Sequence, residues 1–381
     1  MLSSLMLLTL SGGCTEPPRG WLLTLYGAAV DAEGTSLQGV EVSVANRDTG
    51  ALIGTVESSD DGQWYLPVLF EVGEEETLFP VIITASSDGY SDGVTFAEAV
   101  LREPDADYPF WGGAGQSFQA VELRMPPVTL VPDGDSAGGS GQLLDATTGE
   151  AVPLARMQLR QGYNAPDSRG VDAEVSTDAD GAFDVTGLPG GVYTARIEPF
   201  PGYALTRFPV TVVPGGRGGQ KGLIVPPEGI ESFRVALTWD AGVAELDLHV
   251  TGPLAGSSLD TAGFHIWADD PDHPPTDEPI AQVVLFSEGL QSAVVNEIRE
   301  RDAYRFSGFD VTNAAVEVST ALSETGALMQ LWWDGEAWME TVSPGVEATL
   351  WRALELDPVS REVLRLQEYE LGVGEDEALY F

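Results

Sequence analysis

The stretch that decides the fold is Ser176-Thr-Asp-Ala-Asp-Gly-Ala-Phe-Asp-Val-Thr-Gly-Leu-Pro-Gly-Gly-Val-Tyr-Thr-Ala-Arg-Ile197. Its Asp180-Gly181 dipeptide predicts a tight hairpin-type turn, because glycine adopts the positive φ that such turns require. After the turn, Phe183 and Val185 alternate with polar residues, which predicts a half-buried strand. A weaker copy of the first half, Ser58-Ser-Asp-Asp-Gly-Gln-Trp-Tyr-Leu66, occurs earlier in the chain. The sequence therefore repeats a strand-turn-strand unit.

The composition favours an all-β protein with more than one core. The chain has 381 residues, and its 44 glycines and 25 prolines interrupt nearly every apolar run. Such a length suits two or three domains, and short apolar runs between turn residues are typical of strands. The net charge of −42 repels polyanions, so nucleic acid is excluded as a partner. A solvated acidic surface explains this charge better than cation association or a saline habitat.

The N-terminal residues resemble a bacterial lipoprotein signal. Residues 2–10 form an apolar run that is too short to span a bilayer, Ser11-Gly-Gly13 are small, and Cys14 is the single cysteine. The resemblance implies that residues 1–14 are the signal, that Cys14 carries lipid, and that residues 15–21 tether the protein to a membrane. The alternative is an ordinary secretory signal or a buried cysteine. One cysteine also excludes a disulfide framework.

Two long segments, residues 22–130 and 141–228, share one order of motifs, and residues 131–140 predict a linker between them. Both segments resemble the carboxypeptidase regulatory-like domain, which is a transthyretin-like, Greek-key β-sandwich. The resemblance lies in Gly-x-Val-x-Asp, Pro-Leu-x-Gly-Val-x-Val and Thr-Asp-x-Asp-Gly-x-Phe patterns. The matching stretches are Gly27–Asp31 and Gly141–Asp145, Ser36–Val42 and Pro153–Leu159, and the two quoted turns.

The third segment, residues 229–381, contains Leu237-Thr-Trp-Asp240 and Glu245-Leu-Asp-Leu-His-Val250. These motifs resemble the C-terminal domain of YfaP-like bacterial envelope proteins, a family of unknown function. The resemblance implies a third sandwich. We therefore expect an all-β protein of three consecutive β-sandwich domains, in which residues 101–116 form an insertion without an assigned role.

Enzymatic signals are weak. Gly134-Asp-Ser-Ala-Gly138 fits a nucleophile pattern, but a nucleophile elbow needs a strand before Ser136 and a helix after it, and Pro, Gly and Ser flank it instead. The three histidines lie downstream, and none begins the His-x-x-Glu motif of a carboxypeptidase zinc site. We predict a linker at Ser136 and no enzyme, cofactor or metal.

Asp247 and His249 lie two residues apart on one predicted strand, so they share a face. Together with Asp240 they are a candidate cluster for a cation or another ligand. Structural hydrogen bonding is the favoured alternative. The acidic insertion at residues 269–278 is likewise better explained as a solvated loop than as a calcium site.

Leu331-Trp-Trp-Asp-Gly-Glu-Ala-Trp338 predicts a hairpin with Asp334-Gly335 at its turn. This register pairs Trp333 with Glu336 and Leu331 with Trp338, so Trp333 and Trp338 share one face and Trp332 takes the other. An exposed tryptophan can bind a sugar or a protein partner. Core packing or cover by a neighbouring domain is the favoured alternative.

These observations predict a non-enzymatic, lipid-anchored envelope protein that serves as a surface scaffold or adhesin-type binding module. Its expected location is the outer membrane of a Gram-negative bacterium, on the periplasmic or the surface side. The expected partners are the membrane, through the lipid, and an envelope protein or a glycan. The alternative is a carbohydrate-binding accessory lipoprotein, and a hydrolase is a distant third.

Overall fold

Strands form nearly all of the regular structure, as the short alternating apolar runs predict. The computed structural model describes residues 20–70, 78–100, 118–197, 202–240, 242–253, 263–267, 281–287, 289–295, 298, 303–312 and 321–371. In these ranges the single helix is the four-residue α1 (Ala321–Glu324). The predicted signal with Cys14 and the insertions at 101–116 and 269–278 lie outside the described residues. The all-β prediction is confirmed.

The first unit is a sandwich of two sheets with the orders β4-β1-β8 and β3-β2-β5-β7. Its core contains the buried side chains of Leu25, Val42, Trp64 and Ile83. The strands are β1 (Gly20–Val30), β2 (Glu41–Asn46), β3 (Leu52–Glu57), β4 (Gln63–Phe70), β5 (Leu78–Ser86), β6 (Tyr90–Ser91), β7 (Gly93–Val100), β8 (Phe118–Arg124), β9 (Val128–Thr129) and β10 (Val131–Pro132).

The second unit has one seven-stranded sheet that bends around its core, in the order β13-β12-β15-β16-β11-β14 with β17 paired to β11. Leu159, Phe183, Tyr193 and Phe208 lie in this core. The strands are β11 (Ala137–Asp145), β12 (Arg156–Gln161), β13 (Ala173–Ser176), β14 (Ala182–Thr186), β15 (Gly191–Ile197), β16 (Thr206–Pro214) and β17 (Arg217–Ile224).

The third unit packs two five-stranded sheets face to face, in the orders β21-β22-β18-β24-β25 and β20-β19-β23-β26-β27. Phe233, Leu248, Phe306 and Trp351 are fully buried between them. The strands are β18 (Phe233–Thr238), β19 (Leu246–Pro253), β20 (Gly263–Ile266), β21 (Ala281–Ser287), β22 (Leu290–Val295), β23 (Tyr304–Asp310), β24 (Leu328–Trp333), β25 (Glu336–Thr341), β26 (Leu350–Asp357) and β27 (Glu362–Glu370).

The sequence repeat is also a structural repeat. β1 pairs antiparallel with β4 and parallel with β8, and β11 pairs in the same way with β14 and β17. In each of the first two units a buried hydroxyl just after the third strand donates to one backbone carbonyl and accepts from one backbone N–H. Ser58 bonds Leu37 O and Val40 N, and Thr177 bonds Val152 O and Ala155 N. Ser58, which stands where the second unit has Thr177, therefore keeps the hydroxyl that makes these two bonds.

The quoted turns differ from the hairpins that the dipeptides predict. β13 pairs with β12, whereas β14 pairs with β11. The Asp180-Gly181 turn therefore connects two strands that do not pair with each other. The side chain of Asp178 stabilises the turn, because its Oδ1 accepts from the backbone N of Asp180 at 2.8 Å and of Ala182 at 2.9 Å. The positive φ predicted for glycine is confirmed, at 71° for Gly181 and 77° for Gly62.

The connection between the first two units is shorter than the predicted linker at residues 131–140. Its first two residues form β10 and pair with β6, and its last four belong to β11, so only residues 133–136 connect the two units. The glycines are needed for close packing rather than for flexibility. A Cβ on Gly139 would lie 2.5 Å from the carbonyl oxygen of Thr211.

We predict that Gly181→Val lowers the free energy of unfolding by about 1–2 kcal/mol or more, because a β-branched residue is strained at positive φ. A Cβ there would also lie 2.9 Å from the backbone N of Val152. Urea unfolding of the chain measures the change. Gly187→Val is the matched control, because Gly187 has a φ of 78° and nothing within 4 Å of its Cβ position. Equal losses in both variants would show that close packing at the turn contributes nothing.

Candidate functional site

Trp332 lies between the second and third units. The β24–β25 hairpin has the predicted register, with Trp333 opposite Glu336 and Leu331 opposite Trp338. Trp332 therefore points away from the core of its own unit, yet it is only 1% exposed. Its indole Nε1 donates to Thr206 Oγ1 on β16 at 2.9 Å. It packs in an apolar cluster built by both units: Ala146, Ala204, Leu223 and Val225 from the second, and Ala236 and Leu290 from the third.

The other two tryptophans of the hairpin face the core of the third unit. Trp333 is buried and donates from Nε1 to the carbonyl oxygen of Ile230 at 3.1 Å. Trp338 is partly buried, with its ring centroid 6.5 Å from that of Trp333. Burial of Trp332 and Trp333 fits the favoured alternative, core packing or cover by a neighbouring domain, rather than the candidate aromatic binding surface. For Trp332, the alternative that applies is cover by a neighbouring domain.

A second contact joins all three units at Tyr163, which follows β12. Its backbone N donates to Val94 O, and its carbonyl oxygen accepts from Phe96 N, each at 2.9 Å. These bonds add Tyr163 as a bridge residue beside β7 of the first unit. The Tyr163 hydroxyl points the other way and lies 3.4 Å from Met339 O on β25 of the third unit.

The side of β25 next to Tyr163 contains a buried ion pair. Arg365 Nε on β27 lies 3.1 Å from Glu340 Oε2, and Glu340 is fully buried. Burial raises the pKa of the Glu340 carboxyl, although the charge of Arg365 opposes the shift. Burial, and then the charge of Glu340, holds the pKa of the Tyr163 hydroxyl well above its usual value. Tyr163 therefore stays protonated and available as a donor.

The first and third units also meet directly. The guanidinium of Arg124 on β8 lies 5.1 Å from the ring centroid of Tyr369 on β27 and 4.9 Å from that of Tyr26 on β1. The Tyr26 ring in turn stacks on Tyr65, with centroids 5.9 Å apart and an interplanar angle of 9°. Tyr65 is 55% exposed. The row therefore begins at the contact between units and ends at solvent on the first sandwich.

Asp240 is not part of the predicted cluster with Asp247 and His249. Its side chain is exposed and accepts from Gly242 N at 2.9 Å, so it stabilises the loop between β18 and β19. Its charge acts on Lys221 of the second unit, whose Nζ donates to Gly289 O at 3.3 Å. Burial lowers the pKa of Lys221, and Asp240 opposes that shift. Asp240 thus belongs electrostatically to the boundary between these two units.

Asp247 makes a structural hydrogen bond, which was the favoured alternative to a cation or ligand cluster. Its Oδ1 accepts from Gln291 Nε2 at 2.6 Å. The same amide accepts from Leu248 N at 2.6 Å and donates to Leu246 O at 3.3 Å. Gln291 from β22 therefore satisfies the backbone of β19, and the buried Asp247 carboxylate contributes to holding the amide in place.

His249 pairs with a histidine that sequence analysis did not connect to it. Its Nδ1 lies 2.6 Å from Nε2 of His265 on β20, and both residues are only 2% exposed. Trp267 stacks on the His249 ring at 5.7 Å and 3°, and the Phe309 ring lies 5.4 Å away. Burial, followed by the charge of His265, places the pKa of His249 well below its usual value. The two imidazoles face each other in an aromatic environment.

Within the described ranges, no three His, Cys, Asp or Glu side chains are grouped as ligands of one metal ion. Ser136 is exposed, with a φ of 60°, and the strand β11 follows it where a nucleophile elbow would have a helix. None of the helices in the described part of the chain is long and apolar enough to cross a membrane.

No protein-family model and no curated protein matches the chain. Among solved structures, it is similar to the shaft pilin SpaA of Lactobacillus rhamnosus GG, with 14% identity, 54% of this chain and 98% of the pilin covered, and a TM-score of 0.20. The minor pilin GBS52 of Streptococcus agalactiae has 11% identity, covers 54% of this chain and 96% of its own, and has a TM-score of 0.20. The TIE protein of Bacillus anthracis has 13% identity, coverages of 85% and 48%, and a TM-score of 0.19. TM-scores of this size carry no activity, ligand or partner over to this chain.

We predict that Asp247→Ala lowers the free energy of unfolding by about 1–3 kcal/mol, because the buried Gln291 amide loses the shorter of its two hydrogen bonds to acceptors. The loss should be the same with calcium, with zinc and with EDTA, as measured by thermal melting. Asp240→Ala is the control, since this exposed carboxylate accepts from a loop N–H and does not contact the Gln291 amide. A melting temperature that rises with metal in the wild type, but not in Asp247→Ala, would instead establish a cation site.

Proposed function

We propose that this chain is a non-enzymatic, lipid-anchored protein of a bacterial cell envelope that acts as a rigid surface scaffold or adhesin-type binding module. The observation that carries the proposal is the burial of Trp332 between two sandwiches. Domains that are joined only by flexible linkers move independently. Here the units are joined by the Trp332 indole, its apolar cluster and the Tyr163 contacts. A force applied to one unit, directly or through a bound partner, is therefore transmitted to the others.

The proposed family assignments rest on the repeated topology and on the quoted motifs. We assign the first two units to the carboxypeptidase regulatory-like sandwiches and the third to the YfaP-like domain. The short apolar run before Cys14 supports a lipid anchor and an outer-membrane location. Its partners would be the membrane, through that lipid, and an envelope protein or a glycan.

The carbohydrate-binding alternative now depends on different residues. Trp332 and Trp333 are buried and Trp338 is partly buried, whereas Tyr65 is exposed beside Tyr26 on a sheet face of the first unit. Tyrosine rings can stack on sugars through their apolar faces. Because one ring of this pair already stacks on the other, a single exposed face is left, which is why we rank the scaffold first.

We predict that the wild-type chain scatters X-rays as one rigid body and that Trp332→Ala makes its units move independently. Removing a buried indole costs about 3–5 kcal/mol, which is comparable to the strength of a contact between domains. Small-angle scattering measures the change in maximum dimension. Trp338→Ala is the matched control, because that side chain belongs to the same hairpin but packs within its own unit. Wild-type scattering that requires several relative orientations would contradict the rigid scaffold.

We predict that Cys14 carries lipid and becomes the N-terminus of the mature protein. Metabolic labelling with an alkyne fatty acid should label the wild type and not Cys14→Ser, because thioether lipidation needs the thiol. Ser11→Ala is the control, as it keeps both the thiol and a small residue before it. Label that persists in Cys14→Ser would disprove the anchor and leave the rigid-body result unaffected.

A further inference from the structure

Tyr65 is the exposed end of a row of side chains on the outer face of the first sandwich. In the sheet order β4-β1-β8, Tyr65 on β4 lies opposite Tyr26 on β1, and Tyr26 lies opposite Arg124 on β8. The Arg124 guanidinium contacts the Tyr26 ring from the β8 side, and Tyr65 stacks on that ring from the β4 side. The row therefore covers Tyr26 on both sides but Tyr65 on one side only, and Tyr65 is 55% exposed.

The structural repeat shows what the fold itself requires at this place. In each of the first two units a glycine on the central strand packs against an aromatic ring on the neighbouring strand; the pairs are Gly27 with Trp64 and Gly141 with Phe183. At the adjacent residue pair, Tyr65 of the first unit corresponds to the exposed Asp184 of the second, and Tyr26 corresponds to Ser140. The same sandwich therefore forms with an aspartate and a serine there, so the fold alone does not account for Tyr65.

The charge of the first unit determines which kind of partner this face attracts. Residues 22–130 contain 18 acidic and 3 basic residues, so the unit attracts cations and repels anions. On the same outer face, the exposed carboxylate of Glu122 on β8 lies opposite Thr24 on β1. An aromatic ring attracts a cation to its face. The one exposed face of Tyr65 suits a single cationic side chain better than a chain of several sugar rings.

We propose that the exposed face of Tyr65 binds an arginine or lysine side chain from a basic segment of a partner protein, and that Glu122 pairs with a second basic residue of that segment. This inference rests on the proposed binding-module function and names the chemistry of its protein partner. The partner's cation lies against Tyr65 as Arg124 lies against Tyr26. Net charge brings the segment to the acidic unit, so association is fast at low salt and slows as salt is added. The ring then determines where the segment binds.

Fluorescence anisotropy of a labelled peptide of alternating arginine and glycine, titrated with the full chain, tests the proposal. We expect Tyr65→Ala and Tyr65→Leu to weaken binding by about 2- to 30-fold, the range of a cation–π contact, and Tyr65→Phe to bind as the wild type does. Glu122→Gln should weaken binding by about 1.5- to 5-fold. Glu41→Gln is its matched control, because it removes the same charge from an exposed position on β2 of the other sheet and should have a smaller effect. A peptide with neutral citrulline in place of arginine should not bind.

Equal affinity of the wild type and Tyr65→Ala for the arginine peptide would overturn the proposal, because net charge alone would then hold the peptide. Wild-type affinity in Tyr65→Leu would also overturn it, since the contact would be apolar. Binding of cellohexaose or chitohexaose that is lost in Tyr65→Ala, while peptide binding is unchanged, would assign the face to a glycan instead. Each of these results leaves the rigid scaffold unaffected, because Trp332 lies in a different contact. Conversely, wild-type scattering from independently moving units would contradict the scaffold and leave the peptide result standing.

Discussion

The burial of the Trp332 indole is the contact on which the arrangement of the second and third units depends. In an antiparallel sandwich the outer face of each sheet is commonly solvated, and polar residues are expected there. β24 instead places an indole on that face, and the second unit covers it with small and branched side chains such as Ala204 and Val225. The bond from Nε1 to Thr206 removes the cost of burying the indole N–H. Without this contact, apolar side chains of both the second and the third unit would be exposed to solvent.

The second unit, which contacts both of the others, carries the smallest net charge of the three. The chain has 60 acidic and 18 basic residues, yet residues 141–228 contain 10 of the acidic and 7 of the basic ones. The strongly acidic first and third units therefore contact a nearly neutral unit, which limits their mutual repulsion. Where they touch each other directly, the contact is Arg124 between two tyrosine rings. Glu340, whose charge acts on the Tyr163 hydroxyl, is paired with Arg365.

Local chemistry made much of this fold predictable from the sequence. The register of the Trp hairpin follows from Asp334-Gly335, and the copied turns follow from glycines that need positive φ. The interfaces were not predictable in the same way, because alternation shows that Trp332 leaves its own core but not what covers it. His265 lacked a signal because its partner is set by the pairing of β20 with β19, sixteen residues away. The predicted linker extends too far in both directions because glycine occurs in tightly packed backbone as well as in flexible segments.

In the third unit, the contact with the first unit and the histidine pair lie far apart in the same sheet. In the sheet order β20-β19-β23-β26-β27, the histidines bridge the first two strands, whereas Tyr369 of β27 contacts the first unit through Arg124. β23 and β26 lie between these two places, and Phe306 and Leu354 on them are fully buried in the core. The histidine pair and the contact with the first unit therefore lie at opposite edges of one sheet.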